Sequence, residues 1–408
     1  MKPRIVIVGA GFAGAYCARG LDAAVRRGEI DVTVIDRKDY FVFHPLLIEA
    51  GTGSLQPRHV IVPIRPFAPA ARFVMGDVLA IDLAARRVRF RIPESGAERD
   101  VPYDHLVLAP GSVTRMPPVP GLARHAFEMK ELGDAIALRD RAVRLLEAAD
   151  AADDSSERKR LLSFVVVGGN YTGVEVAGEF DVFLREGASH YPRVHESDIA
   201  ITLVELGPRI LPALDADLAG YATRKLRERG ISVLLETTAS AIDADGLTLR
   251  DGRRIPGHTV IWCAGIAPSP LLEPLDLPKD RGWVLCETDL RVAGRNDVWS
   301  IGDCAVNPDP SGAPYPPTAQ HGVREGAHLA RNLLAATRGR PTTPFVFKTQ
   351  GSLAPLGCRT AVAKILGVKL SGFPAWFAWR TVYLMKMPGI SRKARVAADW
   401  NARPALPA

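Results

Sequence analysis

Two stretches of the chain set glycines and a downstream acid at spacings suited to a charged ligand. The first, RIVIVGAGFAGAYCARG from Arg4, carries Gly9, Gly11 and Gly14 as GxGxxG. The second, FVVVGGNYTGVEVAGEF from Phe164, repeats the pattern: Gly168 and Gly173 match Gly9 and Gly14, and Gly169 replaces Ala10. Asn170 stands where the first stretch has Gly11. A glycine turn between strand and helix lets main-chain N–H groups come close to a phosphate, whose charge the helix N-terminus stabilises. Asp36 follows Gly14 by 22 residues, and Glu205 ends the apolar run IAITLVE. A carboxylate at that place accepts hydrogen bonds from both hydroxyls of an adenosine ribose. At Glu205 it also repels a 2′-phosphate, which favours NADH over NADPH. Each pattern therefore reads as a dinucleotide site.

The elements that must position these residues follow from the apolar runs. RIVIV lacks polar alternation and predicts a buried parallel strand, followed by a helix to about Gly20 and a strand DVTVID ending at Asp36. The second unit predicts a strand FVVVGG, a helix from about Thr172 to Leu184 with Thr172 as its only cap, and a strand into Glu205. Asparagine tolerates left-handed backbone angles, so the turn at Asn170 is expected to form. Its side chain is expected to add bulk where a pyrophosphate passes, weakening or reshaping NADH binding. Two further strand-to-glycine segments are YDHLVLAPGS (103–112) and DVWSIGDCA (297–305). In a two-nucleotide flavoprotein, an aspartate placed like Asp303 bonds the ribityl hydroxyls of FAD; in isolation it also reads as a helix cap.

A length of 408 residues allows two or three domains, and 47% apolar with 24% charged residues is ordinary for a soluble globular chain. The five cysteines are scattered without a CxxC pair, which argues against a metal site, a disulfide framework or a local dithiol, and suits a reducing cytoplasm. Lys2 and Arg4 precede an apolar run, but its glycines break the signal-peptide pattern. No stretch approaches the ~20 apolar residues of a spanning helix. The net charge of +7 is local: residues 345–408 hold +9 and the rest −2. The polar run AADAADDSSERKR (148–160) reads as an exposed connection into the second nucleotide strand.

Taken together, the sequence resembles the two-dinucleotide-binding-domain flavoproteins. Within them it resembles the type II NADH dehydrogenases, single-subunit NADH:quinone oxidoreductases of membrane surfaces. Besides the stretches above, the resemblance is carried by HPLLIEAGTG, VELGPRILP, IWCAGI, AQHGVREG, GSLAPLG and SGFPAWFAWRTVYLMKMPGISRK, so it spans nearly the whole chain. It implies an α/β fold of two Rossmann-like domains, the second inserted in the first, plus a small C-terminal domain. The implied boundaries are 1–115 and 290–344 for FAD, 116–289 for NADH, and 345–408 for a quinone-side, membrane-surface segment.

The resemblance implies that Gly9, Gly11, Phe12, Ala13, Gly14, Asp36, Arg37, Val78, Gly111, Gly302, Asp303, Ala319 and Gln320 hold FAD. Gly168, Gly169, Thr172, Gly173, Glu175, Glu205 and Gly265 would hold NADH. Glu175 and Gln320 are the implied catalytic residues, the first beside nicotinamide and flavin, the second facing the isoalloxazine and a quinone, either ubiquinone or menaquinone. No metal is implied. The implied reaction passes a hydride from NADH to FAD and two electrons on to quinone, as respiratory electron transport without proton pumping. A homodimer, cytoplasmic and peripheral on the inner face of the cell membrane, is also implied. Glu175 reads equally as an acid in a first helical turn, and His321 as a polar residue at a helix start or a proton donor. The chain departs from the family pattern at Asn170, at Pro110, at Gly322 and in its short tail NARPALPA, which leaves surface attachment expected rather than firm anchoring.

From Phe373 the chain mixes Trp376, Phe377, Trp379, Tyr383 and Leu384 with Arg380, Lys386, Arg392, Lys393 and Arg395. Such a segment suits a helix lying on an anionic membrane surface; it also suits a helix packed on the flavin domain with a solvated basic face. No nucleic-acid recognition module accompanies the charge. Three other readings share parts of the pattern. A sulfide:quinone oxidoreductase needs cysteines at the flavin, for which Cys304 and Cys358 are candidates. A ferredoxin-type reductase gives the aromatic tail no purpose. A slow flavin-based NADH sensor accommodates Asn170.

Overall fold

The computed structural model describes residues 2–402; the rest of the NARPALPA tail lies outside the described residues. By contact the chain divides into two units. The first comprises Met1–Phe41, Ile61–Val113 and Ile266–Thr349; the second comprises Val42–Val60, Thr114–Gly265 and Gln350–Ala408.

Each unit is built on a five-stranded parallel sheet with its glycine-turn strand in the middle. In the first the order is Val298–Ser300, His105–Leu108, Arg4–Val8, Asp31–Asp36, Arg72–Met75. In the second it is Ala126–Glu128, Thr259–Trp262, Ser163–Val167, Ala200–Val204, Ser232–Leu234. Both faces of the first sheet are covered. Ile5 and Ile7 enter one apolar core with Val34 and Leu329, while Val6 and Val8 enter another with Leu106 and Val298. That is why the strand reads as an unbroken apolar run. Chain order reverses across Arg4–Val8, whose neighbours are the later strand His105–Leu108 and the next strand Asp31–Asp36. Its carboxyl end is therefore a switch point, where open α/β sheets take ligands.

Helices Phe12–Arg26 and Ala319–Thr337 pack at backbone distance in the first unit. A Cβ on Gly326 would lie 2.2 Å from the Ala13 carbonyl oxygen. The second unit adds the antiparallel hairpin sheet Gly351–Gly357, Thr360–Ile365, Val368–Gly372 and the helices Phe373–Lys386 and Ile390–Asn401. The exposed connection at residues 148–160 is largely helical. These residues end the helix Leu132–Ala151 and form most of another, Ser155–Leu161, which Asp154 caps by accepting from Ser156 N at 3.0 Å. Alanine, glutamate, lysine and arginine are good helix formers, and Asp154 supplies a cap, which outweighs the polarity of the run.

The nucleotide turns and a buried carboxylate cluster

In the first turn Gly9 has φ +99°, and a Cβ there would sit 2.1 Å from the Ala109 carbonyl oxygen. A Cβ on Gly14 would sit 1.9 Å from the Gly9 carbonyl oxygen. These two glycines are demanded by the turn itself. Gly11 is not: a Cβ there would meet nothing within 4 Å. It lies in extended backbone at the N-terminus of the Phe12–Arg26 helix, which has no side-chain cap and no acid in its first turn. Open space before uncapped N–H donors fits an incoming pyrophosphate. Asp36 Oδ2 accepts from Ala10 N at 2.6 Å and Oδ1 from Lys38 N at 2.9 Å, so the acid also shapes the turn. Burial pushes its carboxyl up, and the two backbone bonds oppose this. In the same unit Asp303 lies in a 3₁₀ turn, within 3.3 Å of Ser112 Oγ, and the buried Glu325 accepts from Gly302 N at 2.6 Å.

The second turn repeats this geometry. Gly168 has φ +112°, a Cβ on Gly173 would sit 1.8 Å from the Gly168 carbonyl oxygen, and Glu205 accepts from Gly169 N at 2.5 Å and Gly207 N at 2.6 Å. Asn170 differs from expectation. Its backbone is extended (φ −75°, ψ −173°), close to Gly11 (φ −65°, ψ −167°), so no left-handed conformation is involved. Asn170, not Thr172, caps the helix Tyr171–Ala188: its Oδ1 accepts from Gly173 N at 3.0 Å and its Nδ2 donates to the Cys263 carbonyl at 2.6 Å. The side chain is folded back as a brace between strand end and helix, and it occupies an N–H that the first turn leaves uncapped.

Glu175 and Glu179 lie one turn apart on the Tyr171 helix, and Glu49 reaches them from the short helix Leu47–Gly51 in the same unit. Glu49 is 6% exposed and accepts from Trp400 Nε1 at 2.8 Å. Arg380 places Nη2 at 3.8 Å from Glu49 Oε1, and its guanidinium is sandwiched 4.4 Å and 4.5 Å from the ring centres of Trp376 and Trp400. Nearby, the buried Asp181 accepts from Arg185 Nε at 2.8 Å and Arg229 Nη2 at 2.6 Å. Arg229 also donates to the carbonyls of Gly178 and Leu356, pinning the hairpin sheet to the helix. Sequence reasoning missed Glu49, Glu179 and Arg229. The spacing of Glu175 and Glu179 among Val176, Ala177, Gly178 and Phe180 was the available signal.

The tail divides its aromatics. Trp379 is buried and Trp376 holds Arg380, so these face inward. Phe373, Phe377, Met385 and Ile390 are exposed, with Leu366 and Val368 on the hairpin sheet. Among the described residues no helix is long and apolar enough to cross a membrane.

His321 is buried in the first unit, with Nδ1 2.6 Å from Thr318 Oγ1 and its ring beside Tyr315 and Phe347; burial lowers its pKa, which disfavours the charged form. Gln320 begins the same Ala319–Thr337 helix. The Cys304 thiol is pushed up to about 12 by burial, which makes it a poor nucleophile, and Cys358 is exposed.

The family described as pyridine nucleotide-disulphide oxidoreductase matches residues 3–326, and the NDH2 C-terminal domain matches residues 349–404. The internal alternative NAD(P)H-ubiquinone oxidoreductase A1 of Solanum tuberosum mitochondria is 32% identical over 98% of this chain and 86% of its own. The type II NADH:quinone oxidoreductase NdhA of Mycobacterium tuberculosis is 31% identical over 98% and 87%. In fold the chain is similar to NDH2 of Plasmodium falciparum, solved in complex with NADH, with a TM-score of 0.91 at 21% identity over 98% of each chain. On these matches, and on two turns built alike around Asp36 and Glu205, the chain belongs to the type II NADH:quinone oxidoreductases, within the pyridine nucleotide-disulphide oxidoreductase family.

Proposed function

We propose that the first unit holds FAD and the second admits NADH, and that the chain carries electrons from NADH to a quinone at a membrane surface. The observation that carries this reading is the contrast between two matched turns. Gly11 leaves open space before uncapped donors, whereas Asn170 braces its turn and takes one donor for itself. A permanently held ligand suits the first and a diffusible one the second. Bound in the first unit, FAD supplies the two-electron redox centre between hydride donor and quinone.

The chain's own residues bind and orient. Main-chain N–H groups around Gly9–Gly14 would hold the pyrophosphate and Asp36 the ribose; Phe12, Ala13, Arg37, Val78, Gly111, Gly302, Asp303, Ala319 and Gln320 would complete that site by family resemblance. Gly168, Gly169, Thr172, Gly173, Glu205 and Gly265 are assigned to NADH in the same way. Glu175 lies on the helix that starts at that turn and is positioned to handle a proton, since burial and the neighbouring carboxylates raise its pKa well above the ordinary value. The exposed apolar residues Phe373, Phe377, Met385 and Ile390, among the basic residues of the tail, support contact with an anionic membrane surface.

Steady-state oxidation with a short-chain quinone tests the assignment. NADH is expected to exceed NADPH in kcat/KM by about 100-fold or more, because a 2′-phosphate meets the Glu205 carboxylate. Equal use of both would remove Glu205 from the ribose site. Asn170 gives a finer check. Asn170→Gly should cost only a few tenths of a kcal/mol in stability. It should also lower the KM for NADH by about two- to ten-fold, the worth of one hydrogen bond returned to the ligand. A raised KM would mean that the brace itself orders the site.

A further inference from the structure

In the first unit the strand Val298–Ser300 runs into the turn that carries Asp303. Ile301 N donates to the Leu108 carbonyl at 3.0 Å, at the end of the neighbouring strand. Gly302 comes next, at φ +75°, and its N–H is taken by Glu325 Oε2 at 2.6 Å. Glu325 belongs to the helix Ala319–Thr337 and is 3% exposed, so a buried carboxyl from a helix holds the backbone where the sheet ends.

The same helix and turn close on the first glycine turn. A Cβ on Gly302 would lie 3.0 Å from the Ala13 Cβ, and one on Gly326 would lie 2.2 Å from the Ala13 carbonyl oxygen. Ala13 is in the first turn of the helix Phe12–Arg26, whose uncapped N–H groups face the pyrophosphate place. Glu325, the Asp303 turn and the glycine turn thus meet at one junction. We propose that Glu325 is a positioning residue for the flavin: through the Gly302 N–H it aims the Asp303 carboxylate at the ribityl chain, and so sets how tightly that end of the cofactor is held. The proposal rests on the reading of the first unit as the FAD site.

The Asp303 side chain accepts one long bond, from Ser112 Oγ at 3.3 Å, so its direction follows the backbone of its turn. The bond that fixes this backbone calls for an oxygen and not for a charge. Burial raises the Glu325 pKa, and Asp303 adds to this, while the Gly302 N–H and the Asn307 amide lower it; in either protonation state Oε2 keeps a lone pair for the N–H. Asn307, beside the carboxyl, is 1% exposed, and among the described residues neither atom of its amide reaches hydrogen-bond geometry. An acid and an unpaired amide buried side by side cost stability. Packing alone does not account for them.

Glu325→Met fills a similar volume without the acceptor, and Glu325→Gln keeps an oxygen for the Gly302 N–H. The full-length variants, stripped of flavin, are titrated with FAD by flavin fluorescence, with ADP as competitor. ADP has the adenosine diphosphate end of FAD but no ribityl chain, and its binding also reports that the variant is folded. Glu325→Met is expected to raise the Kd for FAD about ten- to hundred-fold, the worth of a hydrogen bond to an acidic group, and to leave the inhibition constant of ADP within about two-fold. Glu325→Gln should stay within about three-fold of the parent for both ligands. In an Asp303→Ala background Glu325→Met should add less than about three-fold, because the group it aims is gone. An unchanged FAD affinity in Glu325→Met, an equal loss of FAD and ADP, or a loss shared in full by Glu325→Gln would overturn the proposal. A parent chain that purifies without flavin and binds none on titration would overturn the reading of the first unit, and the proposal with it.

Discussion

Gly173→Ala is expected to keep its flavin and lose about 100-fold or more in kcat/KM for NADH, as misplacement of a bound reactant by about 1 Å does. The added methyl would sit 1.8 Å from the Gly168 carbonyl oxygen, a backbone atom that moves only if the turn opens. The Gly168 turn lies in the second unit, so the glycine cradle of the first unit is untouched. Gly14→Ala is the mirror experiment. Its methyl would sit 1.9 Å from the Gly9 carbonyl oxygen, and the protein should purify without flavin. Flavin content by absorbance and NADH oxidation with ferricyanide separate the two. If both variants lose flavin alike, the two turns do not have separate jobs.

Asp181→Ala should destabilise the second unit by about 3 kcal/mol, at the lower end of the range for breaking a buried ion pair. Asp181 is 1% exposed and receives two guanidiniums, whose partial exposure moderates the loss. For a unit of this size the shift corresponds to about 6–12 °C in the unfolding midpoint. The consequence is also local. Without its carboxylate Arg229 no longer anchors to the helix, and the Gly351–Gly357 strand loses a clamp where a Cβ on Gly178 would already lie 2.4 Å from the Leu356 carbonyl oxygen. Calorimetry of parent and variant checks this; a shift below about 2 °C would show that Arg229 holds the hairpin through carbonyls alone.

Both parallel sheets were legible in the sequence because their signals are local: an apolar strand, a glycine turn, and an acid at the end of the next strand. Asn170 was misread for a physical reason. At that position the backbone is extended, so a side chain costs nothing in φ and ψ, and asparagine there caps the helix by taking one N–H donor rather than by bending the turn. The tail shows how far periodicity reaches. Trp376, Trp379 and Tyr383 follow helical spacing on one stripe, with Phe373 and Phe377 on another, so the division into inward and exposed aromatics was readable. The carboxylate cluster was readable only for Glu175 and Glu179, which share one helix. Trp400 meets Glu49 across 351 residues, and no local pattern announces a contact of that separation. The polar run at 148–160 is exposed over most of its length, as composition indicates, but composition does not reveal that the connection is helical.

The most direct test of the division of labour between the turns is anaerobic mixing of the purified protein with NADH while the flavin absorbance band is followed, then addition of a short-chain quinone. Fast bleaching by NADH, weak bleaching by NADPH and full recovery on quinone addition are the predicted results. A bound flavin that NADH leaves unbleached would contradict the account, because the turn at Asn170 would then not be a working NADH site.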